Sequence, residues 1–299
     1  MKRIILLLCL CALQTFFGQK IIGQPGQAQV QSDSMASQHT DAPVYYHIYL
    51  PDAYHADTSR SFPVIYWLHG SGGWPTGAIN MLANRFHRAI KAEKMPPAMV
   101  VFLDDGKTGS MWVDWKDGSL KMESIVIREL IPHIDAAYRS IPEARGRILE
   151  GGSMGGYGAA RFGFSYPDMF ATISMLNPGP MQEVLIPAEV PLVGQAKAQQ
   201  TLDRVYGGDT TYFRTLSPWQ IAEQQADSIR GKLAIRMILG GADPSLPNNK
   251  LFSAHLTQLD IKHSLTILEE AGHSPREMFA ALGDGYWEFF RRILDGGKE

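Results

Sequence analysis

The run Arg147-Ile148-Leu149-Glu150-Gly151-Gly152-Ser153-Met154-Gly155-Gly156-Tyr157-Gly158-Ala159-Ala160 decides how the rest of this chain is read. Arg147 to Gly151 has the pattern of a short strand, and 155–165 that of a helix built from small residues. Between them, Gly151-x-Ser153-x-Gly155 fits a sharp, strained strand–turn–helix that lifts one serine hydroxyl above a sheet. Glycines flank such a serine because a side chain there would collide with the adjoining strand and helix. The short motif arises by chance in glycine-rich chains, so context must carry it. Here a strand precedes it and a helix follows.

A serine hydroxyl attacks carbon only when a base removes its proton. After this kind of turn the acid comes next in the chain and the histidine last. The histidines downstream of Ser153 are His255, His263 and His273. His255 falls within an amphipathic helical pattern and His263 opens a strand, positions that suit structural or surface roles. His273 lies in Ala271-Gly272-His273-Ser274-Pro275, between the last strand pattern and the last helix. Loops after strand ends are where catalytic groups gather in open α/β sheets, so His273 is the expected base. Asp243 follows the strand pattern 233–239 through Gly240-Gly241-Ala242 and is the expected acid, orienting the imidazole and stabilising its positive charge.

The tetrahedral oxyanion of acyl chemistry needs preorganised N–H donors. One is expected from the main chain of Met154, the residue after the nucleophile. The other is expected from Leu68-His69-Gly70-Ser71-Gly72-Gly73, at Ser71 with Gly70 as the fallback, and His69 is expected to brace this turn. Trp74, Trp112 and Trp115 follow early strands and are candidates to line the substrate pocket, with core packing as the alternative. No metal-binding, EF-hand or phosphate-loop motif is present, so neither a metal nor another cofactor is expected.

Outward from this centre, apolar runs at 44–50, 63–69, 98–103, 170–176, 233–239 and 264–269 alternate with helical patterns at 78–94, 120–138, 248–260 and 275–294. Pro132 is a flaw inside the second helical pattern. The alternation predicts an α/β fold with a mostly parallel central sheet and helices on both faces. The stretch 177–230 breaks the rhythm with Pro178, Pro180, Pro187, Pro191 and Pro218, and is expected to form a short cap or lid.

Of the 299 residues, 1–18 have the layout of a signal peptide: Lys2 and Arg3, then an apolar run from Ile4 to Leu13, then Gly18. Both cysteines, Cys9 and Cys11, lie inside it. Cleavage after Gly18 would take the formal net charge from −2 to −4 and leave no thiol. Residues 19–41, rich in Gln, Ser and Gly, read as a flexible leader, and 42–299 as one catalytic domain. The expectation is therefore a secreted or periplasmic protein with no stable membrane span after cleavage. The mild negative charge argues against nucleic acid as a partner. The oligomeric state is open.

Leu68-His69-Gly70, the stretch from Trp112 to Asp135, the elbow Gly152-Ser153-Met154-Gly155-Gly156-Tyr157-Gly158-Ala159, the turn at Asp243-Pro244 and Gly272-His273 together resemble the esterase D/feruloyl esterase-like family of α/β hydrolases. The resemblance spans roughly residues 42–295. It implies the α/β-hydrolase fold and hydrolysis of carboxylic esters, with the triad at Ser153, Asp243 and His273. Members of that family include feruloyl and acetyl-xylan esterases, S-formylglutathione hydrolase, siderophore esterases and mycolyltransferases. The implied partner is a small-molecule or polysaccharide-linked ester, with plant-polysaccharide acyl groups among the options. Many feruloyl-esterase-like members carry Gly-His-Asp followed by an aromatic residue; this chain departs from them with Gly272-His273-Ser274-Pro275. Acyl transfer to a sugar or lipid alcohol and a non-catalytic binding role are the alternatives.

Overall fold

The computed structural model describes residues 20–22, 27–106 and 109–296. The signal segment expected at 1–18 lies outside them. Nine strands build one sheet: β1 (Lys20–Ile22), β2 (Val30–Met35), β3 (Val44–Tyr49), β4 (Val64–Leu68), β5 (Met99–Leu103), β6 (Arg147–Gly152), β7 (Thr172–Leu176), β8 (Ala234–Gly240) and β9 (Ser264–Leu268). Their spatial order is β1-β2-β3-β5-β4-β6-β7-β8-β9. Pairings from β1 through β3 to β5 are antiparallel, and all the others are parallel. Crossovers put helices on both faces, which is why β4, β5, β6 and β7 are buried at every position. Val64, Tyr66 and Leu68 face one core while Ile65 and Trp67 face the other.

The α-helices are α1 (Asp52–Ala56), α2 (Ala78–Lys91), α3 (Met122–Ile125), α4 (Ile131–Ala137), α5 (Met154–Ser165), α6 (Gln195–Tyr206), α7 (Thr210–Leu216), α8 (Pro218–Ile229), α9 (Leu246–Gln258), α10 (Pro275–Leu282) and α11 (Gly285–Leu294). Phe86 of α2 and Trp287 and Phe290 of α11 fill the core on one face. Residues of α3 to α9 fill the larger core on the other.

Four expectations are corrected by the structure. The leader at 19–41 is not structureless: β2 pairs residue for residue with β3, from Val30↔Tyr49 to Met35↔Val44. It is held by the main-chain ladder, by burial of Val30 and Met35 at its ends and by side-chain bonds of Ser32 with His47 and of Tyr46 OH to Asp33, so its polar composition hid it. The helix expected at 120–138 is broken into α3, a π-helical turn at Val126–Leu130 and α4. The widened turn precedes Pro132, which lacks the N–H that a regular helix would use there. The helix expected at 275–294 splits at Gly283, whose φ of 51° a side-chain-bearing residue adopts with strain. Finally, 177–230 is only partly a cap, because α8 packs against α5 as the ordinary crossover helix between β7 and β8.

Candidate active site

Ser153 follows β6 with φ 57° and ψ −125°, a positive-φ turn that leads the chain into α5 and leaves Ser153 lining the cavities above the sheet. Two close approaches make room for this turn. A Cβ on Gly155 would run into the carbonyl oxygens of Leu68 and His69. A Cβ on Gly158 would lie 2.6 Å from Trp112 Cδ1. The first intrahelical bond of α5 runs from Tyr157 N–H to Ser153 O, so the Met154 N–H comes before the ladder begins.

Asp243 and His273 arrive from neighbouring strand ends. The loop after β8 is zipped to the end of β9 by Gly241 N–H to Leu268 O (2.8 Å) and Ala242 N–H to Ala271 O (3.0 Å). His273 Nδ1 then stands 2.6 Å from Asp243 Oδ2. Asp243 is buried, while the His273 side chain keeps 23% of its surface open to the cleft. The other Asp243 oxygen accepts from Ser245 N–H and Ser245 Oγ, both at 2.7 Å. Burial works to raise the Asp243 carboxyl, but the bonds from His273 and Ser245 outweigh it and hold the pKa below the ordinary carboxylate value.

Several residues of this machinery had no sequence motif to mark them. Asn177, at the end of β7 with φ 42°, accepts from Gly240 N–H (2.7 Å) and donates to Gly272 O (3.0 Å). It thereby ties the loop of Asp243 to the loop of His273. Glu277 grips the other side of Gly272, accepting its N–H at 2.9 Å, and Ser274 caps α10. Asn249 bonds Ser245 and the Pro178 carbonyl. Position after a strand's C-terminal end was the one available signal for Asn177.

A buried polar cluster lies on the strands beneath Ser153. Glu150, Ser174 and Arg236 sit at paired positions on β6, β7 and β8. Glu150 accepts from Ser174 Oγ (2.9 Å), Arg236 Nη2 (3.2 Å) and Tyr286 OH (2.7 Å). Burial pushes the Glu150 carboxyl up, against the pull of Arg236.

The loop after β4 approaches Ser153 closely: a Cβ on Gly70 would lie 3.4 Å from Ser153 Cβ. Ser71 and Met154 line the same cavity as Ser153. His69 is fully buried, with Nδ1 2.7 Å from the Gly70 carbonyl and Nε2 3.2 Å from Asp105 Oδ1. Among the described residues, His69 with Asp104 and Asp105 is the group whose ligating atoms come within 4.8 Å of one another. Burial works to raise Asp105, but hydrogen bonds from His69 and Ser110 hold it below its ordinary value.

The three tryptophans separate. Trp74 lines the cleft beside Ser153, its ring pinned by Nε1–H to Leu103 O at 2.7 Å. Trp112 is a correction: it is fully buried, bonded through Nε1–H to His69 O and packed against Gly158. The positive φ values at Met111 (57°) and Trp112 (54°) turn that loop so that the indole points inward. Trp115 also lies away from the cavities at Ser153; it is half-buried, bonded to Ser110 O and faced by the Arg204 guanidinium.

Two cavities meet at Ser153. One is an open cleft of about 630 Å³ containing Trp74, Met81, Asn177, His273 and Arg276. The other is a narrow chamber of about 70 Å³ under residues 179–201. Among the described residues, no helix is long and apolar enough to cross a membrane.

A ferulic acid esterase structure superposes with a TM-score of 0.73 at 21% identity, covering 89% of this chain and 99% of its own. An S-formylglutathione hydrolase from Agrobacterium tumefaciens gives 0.69 at 19% identity, covering 93% and 98%. At these identities the likeness speaks for a shared fold, the α/β-hydrolase fold. Two curated esterases from strains of Mycobacterium tuberculosis are 34% identical over 130 residues, 42% of this chain. The chain matches about a quarter of their length, 27%. The model of the Putative esterase family matches residues 37–275, most of the chain, from β3 through the loop of His273. The chain belongs to the Putative esterase family.

Proposed function

We propose that this protein is an exported serine esterase acting through Ser153, His273 and Asp243. The observation that carries the reading is the 2.6 Å bond between a buried Asp243 and a cleft-facing His273, in the cavity that also holds the strained Ser153. Ser153 Oγ attacks the ester carbonyl carbon while His273 takes its proton. The N–H groups of Ser71 and Met154 hold the resulting oxyanion. The C–O bond to the alcohol breaks as His273 hands the proton to the leaving oxygen. Water then attacks the acyl-serine, with His273 taking a proton from it and returning one to Ser153 Oγ as the carboxylic acid leaves. Asp243 keeps the imidazole oriented and stabilises its charged form. Export is supported by the layout of residues 1–18.

The test pairs a fluorophosphonate probe with p-nitrophenyl acetate turnover. The natural sequence is expected to label and turn over, and Ser153→Ala to do neither, with turnover down by several orders of magnitude. Hydrolysis by Ser153→Ala at the parent rate would overturn the assignment.

A further inference from the structure

We propose that the chamber under residues 179–201 is the acyl site, and that its size restricts the enzyme to short saturated acyl groups of about two to four carbons. The inference rests on the triad reading above and adds to it the direction in which a substrate lies.

That direction follows from the chemistry. Once Ser153 Oγ has bonded to the carbonyl carbon, three other substituents need places: the oxyanion, the alcohol oxygen and the acyl chain. The oxyanion goes to the N–H groups of Ser71 and Met154. The alcohol oxygen must reach His273, because it leaves with the proton that His273 carries. His273 borders the open cleft but not the chamber. The alcohol therefore occupies the cleft, whose roughly 630 Å³ leaves room for a sugar or a larger alcohol. The chamber, which shares Ser153, Ser71 and Met154 with the reaction centre, is left for the acyl chain.

The walls of the chamber are mostly apolar and suit an uncharged chain, with the Lys197 ammonium engaged 3.2 Å from Gln200 Oε1. Met181, Leu185, Val190 and Ala198 come from the proline-rich excursion, Met111 comes from the loop after β5, and all five are buried. Its free volume of about 70 Å³ is about half of the roughly 150 Å³ with which an apolar cavity takes up a benzene ring. An acetyl, propionyl or butyryl tail fits that space. A hydroxycinnamoyl group, a substituted ring on a three-carbon arm, does not. Solved structures of similar fold are described in complex with ferulic acid and with sinapinate; this chain is expected to diverge from them in acyl choice.

The experiment measures kcat/KM of the full chain for p-nitrophenyl acetate, propionate, butyrate, hexanoate and octanoate, and for methyl ferulate. The rate constant should be greatest between acetate and butyrate and fall at least tenfold by hexanoate, since one excess methylene is worth about 10-fold or more in a filled pocket. Methyl ferulate should lie further below. Met181→Ala and Leu185→Ala, two independent ways of widening the chamber, should each raise the hexanoate-to-acetate ratio. Equal or better turnover of octanoate or methyl ferulate, or ratios unmoved in both folded variants, would overturn the chamber assignment. Absence of Ser153 labelling and of turnover on every ester would instead overturn the triad reading.

Discussion

Replacing Asn177 separates positioning from simple packing. Its amide is the common partner of Gly240 N–H, three residues before Asp243, and Gly272 O, next to His273. Asn177→Ala strips both bonds, together with a weaker one from the same amide to Met278 Sδ. An unsatisfied buried polar group costs about 1–3 kcal/mol. Gly240 N–H is buried and takes the upper part of that range, while Gly272 O is partly open and takes the lower. Together they give a loss of about 3–5 kcal/mol, a large share of the roughly 5–15 kcal/mol by which domains are stable. The catalytic effect has a different origin. With one anchor of Gly272 gone, the loop that carries the imidazole is held more loosely, through Glu277, Asp243 and the Ala242–Ala271 bond, and displacement of a reacting group by about 1 Å can cost about 10²-fold. Asn177→Asp keeps the acceptor for Gly240 N–H and the tolerance for φ 42°, but loses the donor to Gly272 O. It should fall between the parent and the alanine variant. The assay is urea unfolding for stability, alongside initial rates with a short acyl ester at a temperature where every variant is folded. kcat should fall about 100-fold in Asn177→Ala with KM within about threefold. A kcat within twofold of the parent, alongside the expected stability loss, would refute the positioning argument and leave Asn177 a purely structural residue.

Two further outcomes follow from buried charge. Arg236→Met leaves Glu150 enclosed without its cation and should cost about 3–5 kcal/mol in urea unfolding, whereas Glu150→Leu with Arg236→Met should cost clearly less than that single change; a single variant within 1 kcal/mol of the parent would contradict the pairing. Asp243 has a depressed native carboxyl, so its contribution is complete above the ordinary value of 3.8 and is lost as pH falls through the lower native value. The unfolding midpoint of Asp243→Asn should therefore vary less below pH 4 than that of the parent, with Asp105 titrating in both; parallel curves would count against the linkage.

The centre of the fold was legible because the central parallel strands are mostly apolar and the elbow is a local signal. Ser153, Asp243 and His273 could be ordered by their places after strands. The edges were less legible. β2 carries Gln31, Ser32, Asp33 and Ser34 between two buried ends, and a main-chain ladder leaves no mark in such residues. The tryptophans were ambiguous because their direction depends on the unusual backbone at Met111 and Trp112. Asn177 and Ser245 act through hydrogen bonds to groups that are distant in sequence or lack a pattern of their own. The chamber is assembled from segments as separate as Met111 and Ala198, and no single stretch announces it.

The order of the sheet bears on when the proposed activity can arise. The strand of Ser153 joins β4 through Val64↔Arg147, and β7, β8 and β9 add outward from it in turn. Each such pairing closes a long loop before its contacts are gained, which makes assembly of this kind slow. A growing chain that ends before β9 (Ser264–Leu268) contains Ser153 but not yet His273. Hydrolytic power would therefore arrive with the last strand, so that premature or clipped chains stay chemically inert.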